Sequence, residues 1–302
     1  MNVPDTVVTG RAAALAADDS LVQGEGFWLG IRRRLLRDRL TLCCAAVLAL
    51  MLLAILSAPW LAPGDPYQGS MLQRLRPIGT PGHLLGTDEL GRDMLTRLLY
   101  GGRLSWLLGI TPVLIAMVVG GALGIVAGFA GGWLNMVIMR TTDVFYAFPS
   151  VLLAVAISGA LGPGIGNAIL SLCLVFVPQI IRVAETATTA VRNLDYVESA
   201  RANGASAWAN IWHQILPNVL GTIFTYSTSL VSVSMVLASG LSFLGLGSRP
   251  PDAEWGLMLN TLRTAVYLQP MIALLPGLCI FVTSVCFNLL SEGLRSAMEL
   301  KR

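Results

Sequence analysis

Long stretches without a charged side chain alternate with short polar segments along this chain of 302 residues. Residues 40–64 carry no charge, and a helix of that length crosses a hydrocarbon core of about 30 Å. Proline and glycine turns separate neighbouring stretches, as at Gly131-Gly132. The pattern predicts an all-α, polytopic membrane protein with six transmembrane helices, at about residues 40–62, 104–129, 134–161, 167–187, 219–246 and 269–290.

The polar segments divide the chain into three predicted parts. Residues 1–39 form an N-terminal segment whose basic, amphipathic end, residues 27–39, fits a membrane surface. Residues 40–103 hold the first transmembrane helix and a polar loop, and residues 104–302 hold the other five helices with a loop at 195–217. An even number of helices places both termini on one side.

The basic residues indicate which side that is. Of the 20 Lys and Arg residues, 13 lie in segments on the side of the termini and 7 on the other side. An excess of positive charge marks the cytoplasmic side of a membrane protein. Both termini are therefore predicted to be cytoplasmic, and the polar loop before residue 104 external.

Composition excludes several classes of protein. The chain is 55% hydrophobic and only 12% charged, whereas a soluble domain has about 25% charged residues. Its one lysine, Lys301, stands at the C-terminus, so the chain has no phosphate-binding G-x-x-x-x-G-K-[ST] loop. The five cysteines lie inside apolar runs and the two histidines are far apart, so no metal site and no catalytic residue is predicted.

The loop at 195–217 reads as two short helices. Asp195 is a predicted N-cap with Glu198 three residues later, and Gly204 suits the left-handed end of the first helix. Ser206 is a predicted cap of a second helix that ends at Pro217 and has one apolar face, formed by Trp208, Ile211, Trp212 and Ile215. Such a loop is either a docking element or an ordinary helical hairpin between transmembrane helices.

Two other polar patterns lead to hypotheses about function. The fifth predicted transmembrane helix is rich in hydroxyl groups, which either bond to their own backbone or line a water-filled path; the path hypothesis assigns Ser227, Ser229, Ser232 and Ser234. The external loop contains a turn with carboxylates and an arginine, which forms either a salt-bridged lid or a contact for a partner: Gly86, Thr87, Asp88, Gly91, Arg92 and Asp93.

The loop at 195–217 resembles the EAA loop of ABC-importer permeases, E-A-A-x3-G-x9-I-x-L-P. Glu198, Ala200 and Gly204 match its first half, with Ser199 in place of an alanine. Gln214 replaces an isoleucine in the second half. The resemblance implies a coupling role for this loop, with candidate residues in the motif and beside it: Asp195, Glu198, Ala200, Gly204, Ala205, Ile215, Leu216 and Pro217. Residues 83–105, 241–256 and 287–295 resemble the C-type subunit of dipeptide, oligopeptide, glutathione and nickel permeases.

This resemblance implies the type I permease fold of ABC importers, with a cytoplasmic coupling helix, in a bacterial inner membrane. It implies a second permease as heterodimer partner, two cytoplasmic ATPases that bind ATP and Mg, and an extracytoplasmic substrate-binding protein. No cofactor in this chain and no nucleic-acid partner are expected. Peptides are the expected substrate, with glutathione or a nickel complex as alternatives.

The sequence disfavours two other classes of function. An ion-coupled secondary transporter needs charged groups near the middle of the membrane, and the predicted helix centres contain none. A membrane enzyme is disfavoured because no metal cluster, catalytic lysine or G-x-S-x-G turn is present.

Overall fold

The computed structural model describes Leu35 and residues 37–299, and the predicted N-terminal segment therefore lies mostly outside the described residues. Within that part the chain is helical, apart from loops with three isolated β-bridges. The α-helices are α1 (Arg39–Leu56), α2 (Ala58–Leu61), α3 (Met94–Ala130), α4 (Gly132–Tyr146), α5 (Ser150–Leu161), α6 (Ile165–Arg192), α7 (Asp195–Ala202), α8 (Ala207–Asn210), α9 (Leu216–Phe243), α10 (Trp255–Thr261) and α11 (Pro270–Glu299).

Five helical segments of the described chain are long and apolar enough to cross a membrane: α1, α3, α6, α11 and the continuous segment Ala207–Phe243. The predicted third transmembrane helix, residues 134–161, is not one straight helix, because α4 and α5 meet at 87°. Pro149 has no N–H to donate, and it disfavours helical backbone at Phe148. Six membrane crossings are confirmed when this bent pair is counted as one.

The second predicted transmembrane helix, residues 104–129, is the later part of a longer helix. Helix α3 starts at Met94, so the predicted division at 103/104 falls inside it. The charged side chains that set the predicted boundary are accommodated by backbone carbonyls. Arg97 donates to Pro66 O at 3.0 Å, and Arg103 donates to Ile55 O at 3.1 Å, at the end of α1.

Helix α3 packs along α6 through a face of small residues. Gly120, Gly124 and Gly128 stand four residues apart on this face. A Cβ atom at Gly124 would lie 2.5 Å from the carbonyl oxygen of Ile181, so only glycine permits this approach. Buried apolar residues of α3, α6, α9 and α11, such as Leu108 and Phe176, continue the core away from that face.

Two polar loops lie at opposite ends of α3, which is about 55 Å long at 1.5 Å per residue. The long loop, residues 62–93, leads into its first turn. The helical loop, residues 193–215, lies near its last turn, where Arg192 donates to the Gly128 carbonyl oxygen at 2.9 Å. These loops hold most of the residues singled out in the sequence.

Candidate functional site

The helical loop begins with α7, and its cap differs from the predicted one. The N-cap residue is Leu194, whose carbonyl oxygen accepts from the backbone N–H groups of Val197 and Glu198 at 2.9 and 3.2 Å. Asp195 is thus the first helical residue, and the predicted capping box is wrong. Both acids still lie in the first turn, where carboxylates interact favourably with the helix dipole.

Gly204 ends α7 as the sequence predicts. Its φ is +84°, a left-handed conformation that favours glycine. Ala205 N–H donates to the Ala200 carbonyl at 3.0 Å, and Gly204 N–H donates to the Arg201 carbonyl at 3.0 Å. These two bonds form a Schellman motif. A Cβ atom added at Gly204 would meet no atom within 4 Å, so this turn faces open space.

The second half of the loop runs directly into the next long helix. Ser206 caps α8, as predicted, by accepting from the Ala209 N–H at 3.2 Å. A π-helical turn, Ile211–Ile215, follows, and Leu216 and Pro217 then open α9. Pro217 therefore does not close the helix, in contrast to the prediction, because a proline is tolerated in a first turn, where helical N–H groups need no partner.

The predicted apolar face of this segment is divided by the π-helical turn. Ile215 is fully buried in the bundle, whereas Trp208 and Trp212 are 70% and 56% exposed. Their rings stack on each other with centroids 6.0 Å apart. The face is therefore not a single packed stripe, because the wide turn changes the angular spacing between these side chains. Two large aromatic rings are therefore left largely uncovered by the described part of the chain.

The helical loop is fixed to the bundle at its base. Arg192 also donates to the Phe129 carbonyl at 3.3 Å, and the Arg201 guanidinium lies 4.8 Å from the centroid of the Phe129 ring. Val197 is fully buried, whereas each residue from 201 to 208 is exposed. The loop is thus a supported projection whose tip contains Gly204.

The long loop at the other end of α3 differs from the helical loop, because its charged side chains are buried and paired. The Asp88 carboxylate lies 2.6 Å from Arg92 Nε and 3.2 Å from Arg97 Nε, and these three side chains are almost fully buried. Asp88 also accepts from the backbone N–H groups of Leu90 and Arg92 at 2.9 and 2.8 Å. Glu89 pairs with Arg92 at 3.0 Å. A buried charge needs such partners, since desolvation alone is costly.

The remaining residues of the predicted turn hold this cluster in place. Asp93 caps α3 by accepting from the Thr96 N–H at 2.8 Å, and it lies 3.0 Å from His83 Nδ1. The fully buried Thr87 hydroxyl donates to the Gln73 carbonyl. Gly86 and Gly91 adopt left-handed conformations.

Two residues of this region were not among the predicted site residues. Arg97 donates to Pro66 O at 3.0 Å and Asp252 O at 3.2 Å, so it joins the long loop to the loop before α10. Glu254 caps α10 by accepting from the Gly256 and Leu257 N–H groups and also accepts from the Ser105 hydroxyl. Burial raises the pKa of Glu254, although its hydrogen bonds act in the opposite direction. The sequence shows that these two residues are polar, but it does not reveal the distant groups to which they bond.

Trp255 joins α10 to α3. Its side chain is 1% exposed, and its indole N–H donates to the Leu98 carbonyl at 2.9 Å. It is a core residue that packs against α3.

The hydroxyl groups of α9 do not share one environment. Ser229 borders a cavity, whereas Ser227, Ser232 and Ser234 are buried. The Ser229 and Ser232 hydroxyls donate to backbone carbonyls three residues earlier, at 2.8 and 2.7 Å. Those of Ser227 and Ser234 have no protein partner in the described part of the chain. A path-lining role for these residues stays a prediction.

Three ionisable residues of α4 and α6 form a cluster, and a fourth lies on α6. Arg182 lies 2.5 Å from Asp143, and its guanidinium is 4.3 Å from the centroid of the Tyr146 ring. Arg140 lies 3.7 Å from Asp143. Glu185 accepts from the Asn135 side-chain amide at 2.7 Å. Each of these charged groups therefore has a polar partner among the described residues.

Comparison with known proteins agrees with the helix pattern. Residues 120–299 match the family described as binding-protein-dependent transport system inner membrane component, and residues 26–77 match the N-terminal TM domain of oligopeptide transport permease C. The glutathione transport system permease protein GsiD of Pectobacterium atrosepticum is 37% identical over 274 residues, which cover 91% of each chain. Proteins of that name from Escherichia coli O6:K15:H31 and Shigella boydii serotype 4 are 36% identical over 274 residues, covering 91% of this chain and 90% of theirs.

Proposed function

The chain belongs to the family of binding-protein-dependent transport system inner membrane components, the permeases of ABC importers, and we propose that it is one half of a heterodimeric permease for short peptides. In this proposal a second permease completes the path, two ATPases supply the energy, and a binding protein delivers the substrate. ATP and Mg bind to the ATPases, and this chain carries no catalytic residue.

The observation that carries this proposal is the exposed tryptophan pair on the helical loop. Trp208 and Trp212 stack on each other and are left uncovered, although the loop itself is capped at Ser206 and closed at Gly204. Large exposed aromatic side chains on a rigid support are typical of the anchors of protein interfaces. We assign this surface to the contact with an ATPase, so that closure of the ATPase pair moves the ends of α6 and α9.

Small peptides are the proposed substrate. The N-terminal match is to an oligopeptide permease and the relatives are named for glutathione transport, and glutathione is itself a tripeptide. The two names therefore agree on a small, zwitterionic, amide-containing molecule. Glutathione is the second candidate and a nickel complex the third, because the relatives described above are named for glutathione transport.

The test is reconstitution of this chain with its genomic neighbours in lipid vesicles. We expect a stable complex with two ATPases and a second permease, and ATP-dependent uptake of alanyl-phenylalanine or glutathione that requires the binding protein. Uptake by this chain alone, driven by an ion gradient, would contradict the proposal and favour a secondary transporter.

The proposed orientation has a separate test. Reporter domains fused after Arg302 and inserted near Arg192 are expected to report a cytoplasmic position, whereas one near Gly79 should report an external position. An external C-terminus would contradict the assignment of the helical loop to the ATPase side.

A further inference from the structure

A polar cavity of about 360 Å³ lies between α6, α9 and α11. Hydroxyl groups of Thr222, Ser229 and Ser291 line it on several sides. Glu292 and Arg295 also line it, with the carboxylate 2.6 Å from the guanidinium. The cavity therefore presents a paired carboxylate and guanidinium together with neutral hydrogen-bonding groups, which are the chemical types that the termini and amide groups of a peptide bind.

A second cavity, of about 300 Å³, lies where α4 and α5 meet at the bend. Its walls include the aromatic rings of Phe145, Tyr146 and Phe148, together with Val175 and Pro178 of α6. These surfaces suit an apolar or aromatic side chain. The bend that departs from the predicted straight helix is what brings these rings together.

One residue, Tyr226 of α9, lines both cavities. Its hydroxyl donates to Gln179 Oε1 at 3.4 Å across the gap between α9 and α6, and Gln179 borders only the aromatic cavity. The Gln179 amide in turn donates to the Val175 carbonyl at 3.4 Å. Tyr226 and Gln179 thus form a partition between a cavity lined mainly by hydroxyl and charged side chains and one lined mainly by aromatic rings.

The partition stands beside a weak point of α6. Pro178 lies inside this helix and has no N–H to bond to the carbonyl of Leu174, four residues earlier. Helices bend most readily at such a position. Movement of α6 at Pro178 would therefore displace Gln179 relative to Tyr226, and so widen or narrow the passage between the cavities.

We propose that the two cavities form one substrate site in which Tyr226, positioned by Gln179, separates the main chain of a peptide from one of its side chains. The polar cavity takes the terminal charges and amides, and the aromatic cavity takes an apolar side chain. Together the two volumes fall within the range of about 300–1,000 Å³ found for small-molecule sites. This inference rests on the proposed function, because it names where a transported peptide binds.

The test uses the dipeptide alanyl-p-benzoylphenylalanine, whose benzophenone group forms covalent adducts with nearby C–H bonds under ultraviolet light. The assembled, nucleotide-free complex is irradiated with this probe, and the adducts are located by mass spectrometry. We expect adducts on residues of the aromatic cavity, such as Leu153 and Val175. Unlabelled alanyl-phenylalanine should compete better than alanyl-alanine, because only its side chain fills the same space.

Three variants sharpen the test. Tyr226→Trp adds bulk to the partition and should lower the adduct yield about tenfold, the scale on which a pocket discriminates small changes in size. Phe224→Trp is the matched control, since Phe224 is exposed on the same helix and lines neither cavity. Tyr226→Phe keeps the ring but removes the bond to Gln179, and should shift adducts towards residues of the polar cavity.

The outcomes separate this inference from the proposed function. Adducts outside both cavities, or an equal response to Tyr226→Trp and Phe224→Trp, would overturn the site while uptake by wild-type vesicles leaves the peptide permease intact. Failure of those vesicles to import alanyl-phenylalanine and glutathione would overturn both.

Discussion

The long loop and the helical loop are both polar connections at the ends of α3, yet their key side chains differ in burial and in pairing. In the long loop, Asp88 and Arg97 are 1% and 2% exposed and are paired within the chain. In the helical loop, Trp208 and Trp212 are exposed and stack on each other. The buried charges of the long loop thus have their partners within this chain. The exposed rings of the helical loop have the form of a surface that another protein covers.

One glycine in each loop makes the contrast measurable. Gly91 and Gly204 both have left-handed backbone, with φ of +71° and +84°. A Cβ atom at Gly91 would lie 1.9 Å from the Ser70 carbonyl oxygen, whereas one at Gly204 would meet nothing within 4 Å. The same substitution should therefore damage the fold in one loop and only a partner contact in the other.

The largest expected effect is that of Gly204→Arg. The backbone cost is about 1 kcal/mol, too little to unfold the bundle, and the new side chain would project from the tip of the loop. We expect normal abundance in the membrane together with complete loss of uptake and of ATP hydrolysis stimulated by the binding protein. Both are measured in reconstituted vesicles and normalised to permease content.

Gly91→Arg is the matched comparison for that experiment. It should reduce the amount of folded protein, because the added side chain meets rigid backbone at its Cβ atom. Full stimulation of ATP hydrolysis by Gly204→Arg would make the helical loop a mere connector, and the comparison between the two loops would fail.

Removal of the central charge of the long loop should have the next largest effect. Asp88→Ala leaves Arg92 and Arg97 buried without their carboxylate, and breaking a buried ion pair costs about 3–5 kcal/mol. We expect a large drop in the midpoint of thermal unfolding in detergent. Asp143→Ala is the control, since Asp143 and its partner Arg182 are about half exposed in the chain, so that its removal leaves less buried charge. Equal drops would show that burial does not distinguish these sites.

The sequence predicted the helical class, the number of membrane crossings and the Gly204 turn, because length, hydropathy and glycine content are local properties. It did not predict the bend between α4 and α5 or the early start of α3. Arg97 makes the reason clear: its charge placed it outside the predicted transmembrane helix, yet it lies in α3 and bonds to carbonyls 31 and 155 residues away. The division of the Trp208 face depended on a π-helical turn that periodicity does not reveal.

The tryptophan pair provides a test of intermediate size. The double variant Trp208→Ser/Trp212→Ser removes two exposed rings, so the stability of the isolated chain should not change. An aromatic anchor contributes about 2 kcal/mol or more to an interface, which corresponds to a roughly 30-fold weaker association. We expect the ATPases to dissociate more readily in a detergent dilution assay. Trp60→Ser, at an equally exposed site, should have no such effect.

The pH dependence of stability should reveal Glu254. Because burial raises the pKa of Glu254, the folded protein holds this proton more tightly than the unfolded chain does. Stability from this group is thus fully present below the pKa of a free carboxyl, about 4.3, and is lost as pH rises through the folded pKa. We expect Glu254→Gln to flatten the fall in unfolding midpoint above pH 4.5, whatever its effect on absolute stability. An unchanged slope would show that the hydrogen bonds outweigh burial.

The smallest expected effect separates two neighbouring acids in the helical loop. Asp195 and Glu198 are both exposed in the first turn of α7, and neither side chain caps the helix. Each therefore stabilises α7 only through the helix dipole, by about 0.3–1 kcal/mol, so that Asp195→Ala and Glu198→Ala should lower stability equally. Only Glu198 belongs to the motif that the loop resembles, and if it also contacts an ATPase, then Glu198→Ala should reduce stimulated ATP hydrolysis more than Asp195→Ala does. The measurement is the ratio of the two activities at matched unfolding midpoints. Equal activities would restrict the role of Glu198 to helix stability and leave the tryptophan pair and Gly204 as the coupling surface.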